Sequence, residues 1–186
     1  MVNMGLHNQL VKIPRIDCYI TKLGLGTAPL GGLFTTVADS DAESTILAAI
    51  ESGINYFDTA PLYGYGVAEK RLGSALNKSG KPFVLSTKVG RILEKIDPNR
   101  SVIDDSLGSF ADIDPSVVPI FDFSREGILR SIEDSLKRLN VSSFDIAYIH
   151  DADERIDEAI DKSYGVLDEL RSQGVLKGIG VGLNYC

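Results

Sequence analysis

Residues 55–88 read NYFDTAPLYGYGVAEKRLGSALNKSGKPFVLSTK, and this stretch decides the fold. Asn55–Asp58 is a short strand-like run that ends on a carboxylate. The loop Thr59–Gly66 follows, and amphipathic spacing near Ala68–Asn77 predicts a helix stopped by Gly80. Phe83–Lys88 is a second apolar run, ending on an ammonium. Strand, helix, strand is the unit of a parallel sheet, because parallel neighbours need a long crossover that a helix supplies.

The same alternation extends both ways. Upstream, Lys22–Thr27 (KLGLGT) predicts a strand running into a Gly-rich loop. Ser40, with Glu43 three residues on, predicts a capped helix with Ile46, Leu47, Ala49 and Ile50 on its apolar face and Gly53 at its end. Downstream, Ser124 is expected to cap a helix carrying Ile128, Leu129, Ile132, Leu136 and Leu139. Phe144–His150 (FDIAYIH) predicts a strand, and Asp157–Ser172 a helix with Ile160, Tyr164, Leu167 and Leu170 on one face. Leu176–Gly182 (LKGIGVG) predicts the last strand. Val89–Phe123, an irregular stretch with three prolines and many Asp and Ser, is too long for an ordinary loop and reads as a functional cap or a mobile insertion.

The expected fold class is therefore α/β, with five strands and four helices in one domain over residues 1–186. A doubly wound sheet and a (β/α)₈ TIM barrel both fit this order. The glycine pair Gly24 and Gly26 does not separate them, since no third glycine completes G-x-G-x-x-G.

Composition narrows the function. The 186 residues are 44% hydrophobic and 24% charged, a soluble globular profile. Nineteen basic against 26 acidic residues give a net charge of −7, which argues against nucleic acid as a partner. No stretch is long and apolar enough for a membrane span. Two cysteines, Cys18 and Cys186, suggest a reducing compartment, and the expected location is cytoplasmic. No metal site is expected, and His7 receives no role.

The sharper signal lies at the strand ends. Asp58, Lys88 and His150 finish three successive predicted strands, and Tyr63 lies in the loop after the first of them. In a parallel barrel these positions share the C-terminal rim, where barrel enzymes place their chemistry. Together the four suit proton transfer coupled to hydride transfer. A tyrosine hydroxyl can pass a proton if a nearby ammonium stabilises its phenolate. An aspartate can hold that ammonium, and a histidine can orient the substrate oxygen. The hydride itself needs a cofactor, because no side chain carries one.

The run Gly24-Leu25-Gly26-Thr27, the segment Gly53–Ala60 with Tyr63-Gly64 after it, the strand end Ser86-Thr87-Lys88 and Ile149-His150-Asp151 resemble the aldo-keto reductases. The resemblance covers about residues 20–184. It implies a (β/α)₈ TIM barrel, NAD or NADP as cofactor, and a catalytic tetrad on Asp58, Tyr63, Lys88 and His150. It also implies that Gly26, Thr27, Ala28, Asp58 and Asn184 lie by the cofactor. The runs Thr27–Gly32, Ala60–Gly64, Leu85–Arg91 and Phe121–Ser124 are similar to the aldose 1-dehydrogenase branch, which oxidises C1 of a free sugar to a lactone. A pyridoxal- or aldehyde-specific dehydrogenase and a non-catalytic or regulatory homologue are the alternatives. Leu183-Asn184 stands where the family commonly carries Ser-Asn, which leaves the amide role to Asn184 alone.

A full barrel of this type takes about 250 residues. The chain is therefore expected to supply the first five strands and four helices, with the last three strands absent. Both sheet edges would then be open. The inward faces, with Leu23, Leu25, Phe57, Leu85, Ile146, Tyr148, Ile179 and Val181, would lose cover. Self-association or a C-terminal fragment partner is the expected consequence, alongside a small-molecule sugar or aldehyde substrate.

Overall fold

The computed structural model describes residues 5–96, 110–111 and 113–185. Part of the expected insertion (97–109 and 112) and Cys186 lie outside the described residues, as do residues 1–4. A parallel sheet of five strands forms the centre, in the order β3 (Leu25–Gly26), β4 (Tyr56–Asp58), β5 (Val84–Val89), β8 (Ile146–His150) and β9 (Gly178–Gly182). Helices α1 (Asp39–Glu51), α2 (Val67–Ser79), α3 (Arg125–Leu139) and α4 (Ile156–Ser172) connect these strands and cover one face. Among the described residues, no helix is long and apolar enough to cross a membrane.

The helix-facing side is the apolar core. Phe57, Leu85, Ala147 and Ile149 are buried there among Ile46, Leu72, Leu76, Ile128, Leu139 and Leu167. The opposite, concave face carries Tyr56, Asp58, Ser86, Lys88, Ile146, Tyr148 and His150, because strand side chains alternate. The register agrees, with Asp58 opposite Ser86, and Ser86 and Lys88 opposite Ile146 and Tyr148. This corrects the expected inward set. Leu25, Phe57, Leu85 and Ile179 pack toward the helices, Val181 shares their side opposite Ile149, and of the expected strand residues only Ile146 and Tyr148, both on β8, look inward. The apolar residues of these strands follow the helical layer, and the concave face is largely polar.

Other expectations shift for identifiable reasons. The first strand shrinks to Leu25–Gly26. Ahead of it, an antiparallel hairpin pairs β1 (Leu10–Lys12) with β2 (Tyr19–Thr21). Asn55 ties that hairpin to the sheet, accepting from Thr21 N at 2.7 Å and donating to Tyr19 O at 3.0 Å. Helix α1 begins at Asp39 with Ala38 before it, and no side chain caps it. Arg71 anchors that end instead, pairing with Asp39 and donating to the carbonyls of Leu30 and Val37. Glu43 turns to Lys78 at 2.6 Å rather than to a cap. Ser124 does cap α3, accepting from Gly127 N at 3.1 Å. On α4 the buried stripe is Ala159, Ser163, Val166 and Leu167, while Ile160 and Tyr164 are 41% and 52% exposed. Two stripes one residue apart both satisfy helical spacing, and the smaller side chains lie against the sheet.

The stretch 89–123 is not irregular throughout. Gly90, at φ +89, turns the chain out of β5 into an antiparallel hairpin of β6 (Arg91–Lys95) and β7 (Val117–Phe121). Arg91 pairs with Phe121 and Lys95 with Val117. Phe110 bridges to Leu33, and Ala111 N donates to Gly32 O, so this segment reaches the turn that follows β3.

Candidate active site

The concave face gathers ionisable groups at the C-terminal ends of its strands. Asp58 ends β4 and Lys88 lies near the end of β5. Lys88 Nζ donates to Asp58 Oδ2 at 2.6 Å and to the Thr59 carbonyl at 3.0 Å. Ser86 Oγ donates to the other oxygen, Asp58 Oδ1, at 2.6 Å. With its one proton given to Asp58, Ser86 must accept from the Tyr56 hydroxyl, 3.0 Å away. Burial pushes the Tyr56 hydroxyl far above its ordinary pKa, so it remains a neutral donor.

Burial alone would lower the Lys88 pKa. The Asp58 carboxylate and then Tyr63 outweigh that cost, and the net shift is upward, so Lys88 stays charged. Its Nζ lies 4.7 Å from the centre of the Tyr63 ring. The Tyr63 ring in turn meets the His150 ring edge-on, at 5.9 Å and 86°. Burial pushes the His150 pKa well below its ordinary value, and the Lys88 and Arg91 cations add to the effect. The imidazole is thus neutral near pH 7.

Close backbone contact positions Tyr63. Its loop packs on the turn Pro29–Gly31, where a Cβ on Gly31 would come 2.6 Å from the Tyr63 carbonyl carbon. Gly64, at φ +61, faces the Gly31 carbonyl from the other side. Only glycine fits both positions, and the pairing fixes the loop that carries Tyr63.

A cleft of about 430 Å³ opens beside these groups, lined in part by Ala28, Tyr63, Arg91, His150, Asp151 and Asn184. The structure therefore brings Asp58, Tyr63, Lys88 and His150 together, with Ala28 and Asn184 at the same cleft. Gly26 lies opposite Asp58 in register, and a Cβ built on it would meet open space. Thr27 is different. Its side chain is fully buried, and its hydroxyl donates to the Asp58 carbonyl at 3.1 Å, so it supports the strand end and does not face the cleft.

Arg91 and Asp151 stand beside strand-end motifs, in Leu85–Arg91 and Ile149–Asp151, and carried no expected role. Arg91 opens β6 and stacks its guanidinium 4.0 Å from the centre of the Phe121 ring. Its Nη2 donates to Asp151 Oδ2 at 3.1 Å. Asn184 Nδ2 donates to Asp151 Oδ1 at 3.1 Å and to Asp153 Oδ2 at 3.3 Å. Asp153 also accepts from the backbone N–H groups of Asn184 and Tyr185. Ionisable residues one position past a strand end, and one position into a hairpin, were the available signal.

Known proteins resemble the chain over most of its length. The chain is 40% identical over 184 residues to pyridoxal 4-dehydrogenase of Microbacterium luteolum, covering 91% of this chain and 54% of that protein. It is 38% identical to D-threo-aldose 1-dehydrogenase of Pseudomonas sp, covering 88% of this chain and 50% of that one. Among solved structures it resembles the holo form of aldo-keto reductase AKR11C1 from Bacillus halodurans, with a TM-score of 0.73 and 27% identity. That alignment covers 96% of this chain and 51% of the other. The chain spans about half the length of the curated relatives it matches. Residues 22–185 match the Aldo/keto reductase family, a parallel sheet with strand-end Asp, Lys and His and a loop Tyr lies within them, and the chain belongs to that family.

Proposed function

We propose that this site belongs to an NAD(P)-dependent dehydrogenase acting on C1 of an aldose, giving the aldonolactone. The observation that carries the reading is the placement of Lys88, bonded to Asp58 and facing the Tyr63 ring, with His150 edge-on to that ring. Enzymes of this family use NAD(P)H, and the cofactor supplies or accepts the hydride.

The residues present fit such a group. Gly26 leaves open space next to the strand end, Ala28 lines the cleft, and Asn184 offers an amide at its rim. In this reading Tyr63 takes the C1 hydroxyl proton as hydride leaves that carbon. The Lys88 ammonium stabilises the negative oxygen on Tyr63, and Asp58 keeps Lys88 in place and charged. Neutral His150 donates to the substrate oxygen and orients it. Arg91 and Asp151 give the cleft charged hydrogen-bonding groups, which suit a polyhydroxylated substrate better than a plain aldehyde. The similarity to an aldose dehydrogenase supports the same class, and the similarity to a pyridoxal dehydrogenase makes pyridoxal the competing substrate.

The sheet ends on β3 and β9, and neither has a further strand on its outer side among the described residues. Further barrel strands, from this polypeptide or another, would cover those edges.

The test is oxidation of L-fucose, D-arabinose, L-galactose and pyridoxal with NAD or NADP, followed by nicotinamide absorbance. Turnover of a sugar with lactone as product is expected. Turnover of pyridoxal alone would overturn the aldose assignment, and turnover of none would overturn the dehydrogenase reading.

A further inference from the structure

We propose that Asp151 is a positioning residue that fixes His150 as its Nε2–H tautomer, so that the imidazole presents a hydrogen-bond donor to the cleft. The catalytic meaning of this rests on the function proposed above, while the tautomer is a property of the folded chain alone.

A neutral imidazole has one N–H, and its surroundings decide which nitrogen carries it. His150 Nδ1 is buried and has no hydrogen-bond partner among the described residues. Its Nε2 lies 3.5 Å from Asp151 Oδ2. A carboxylate accepts and does not donate, so it attracts an N–H at that position and repels a lone pair. Burial, and then the Lys88 and Arg91 cations, act against the doubly protonated ring, which leaves the choice between the two neutral forms.

The carboxylate is itself held on two sides. Arg91 Nη2 donates at 3.1 Å to the same oxygen that faces His150, and Asn184 Nδ2 donates at 3.1 Å to the other. The Asp151 backbone sits at φ +45, a left-handed conformation that aspartate tolerates better than most residues. Asp151 thus joins the β6 hairpin, the end of β8 and the segment after β9 around one imidazole.

A separation of 3.5 Å is at the outer limit of a hydrogen bond. Asp151 therefore sets the tautomer without consuming the donor, which remains able to reach an oxygen entering the cleft. In the other tautomer a lone pair on Nε2 would meet that oxygen and repel it.

The chain has two histidines, His7 and His150, so long-range ¹⁵N–¹H NMR of the labelled full chain resolves both rings, with His7→Gln giving the assignment. The expected spectrum shows His150 near neutral pH with Nδ1 unprotonated and Nε2 protonated. In Asp151→Ala the ring shifts should move toward a mixture of tautomers. Asp151→Asn should keep the Nε2–H pattern, because Arg91 requires an oxygen at the position facing His150. A wild-type ring protonated at Nδ1, or an unchanged ring in folded Asp151→Ala, overturns the proposal. If Asp151→Ala does not fold, the wild-type and Asp151→Asn spectra decide, and Nδ1–H in either overturns it. Failure of sugar turnover with the Nε2–H pattern intact would sink the functional reading and leave this one standing.

Discussion

Lys88 reaches Asp58 across the β4–β5 pair with a 2.6 Å ion pair, although Asp58 lies opposite Ser86 in the register. The lysine side chain leans back along the strand, which puts its charge under Tyr63 and not out in solvent. One contact thus couples the stability of the rim to its chemistry.

Asp58→Asn removes the charge and keeps the size. A largely buried ammonium then loses its partner, a change that costs about 3 kcal/mol for pairs of this kind. Urea denaturation of the variant should show a lower midpoint with an unchanged slope. Because the folded Lys88 pKa is raised, its contribution is fully present below the unfolded value of 10.5 and is lost as pH rises through the folded value. Tm measured across that alkaline range should fall more steeply in wild type than in Lys88→Met.

His150 gives the opposite dependence. Its folded pKa is depressed, so below the ordinary value of 6.5 the unfolded chain binds a proton that the folded one does not. Stability should fall as pH drops below 6.5, by up to about 1.4 kcal/mol per pH unit from this group. His150→Gln should remove that part of the slope, as read by denaturation at several pH values.

Gly31→Ala tests how the loop holds Tyr63. The new methyl would come 2.6 Å from the Tyr63 carbonyl carbon and 2.7 Å from Gly64 N, where backbone cannot yield cheaply. We expect a loss of about 1–3 kcal/mol and a fall in kcat, since the hydroxyl moves with its loop. Gly165→Ala in α4 is the control. Nothing lies near that position, and the better helix former should add up to about 1 kcal/mol.

What the sequence made legible were strands ending on charge and helices with a single dominant apolar stripe. Ser124 and the stripe of α3 were readable because side-chain spacing and capping agree there. The stripe of α4 was legible only in its second half, where Leu167 and Leu170 pack on the core, because Ile160 and Tyr164 repeat with the same period as Ala159 and Ser163 but face outward. The polar face of the sheet was hidden for a related reason. Tyr56, Ser86 and Tyr148 join one hydrogen-bonded cluster only after three strands come into register. Asp58, Lys88, Tyr63 and His150 stood out as a set because each lies at or just past a strand end. Arg91 and Asp151 did not, since they meet only when the start of the β6–β7 hairpin is folded beside the end of β8. Thr27 turns its hydroxyl to the Asp58 carbonyl, a use that its position at a strand end does not reveal.

The most direct measurement of the central claim is the kinetics of Tyr63→Phe with a sugar that the wild type oxidises. The ring and its contacts with Lys88 and His150 remain, and only the proton-carrying oxygen is removed. The account predicts a kcat lower by about 10²–10⁴-fold with KM changed little. A Tyr63→Phe protein that keeps most of the wild-type kcat would contradict it.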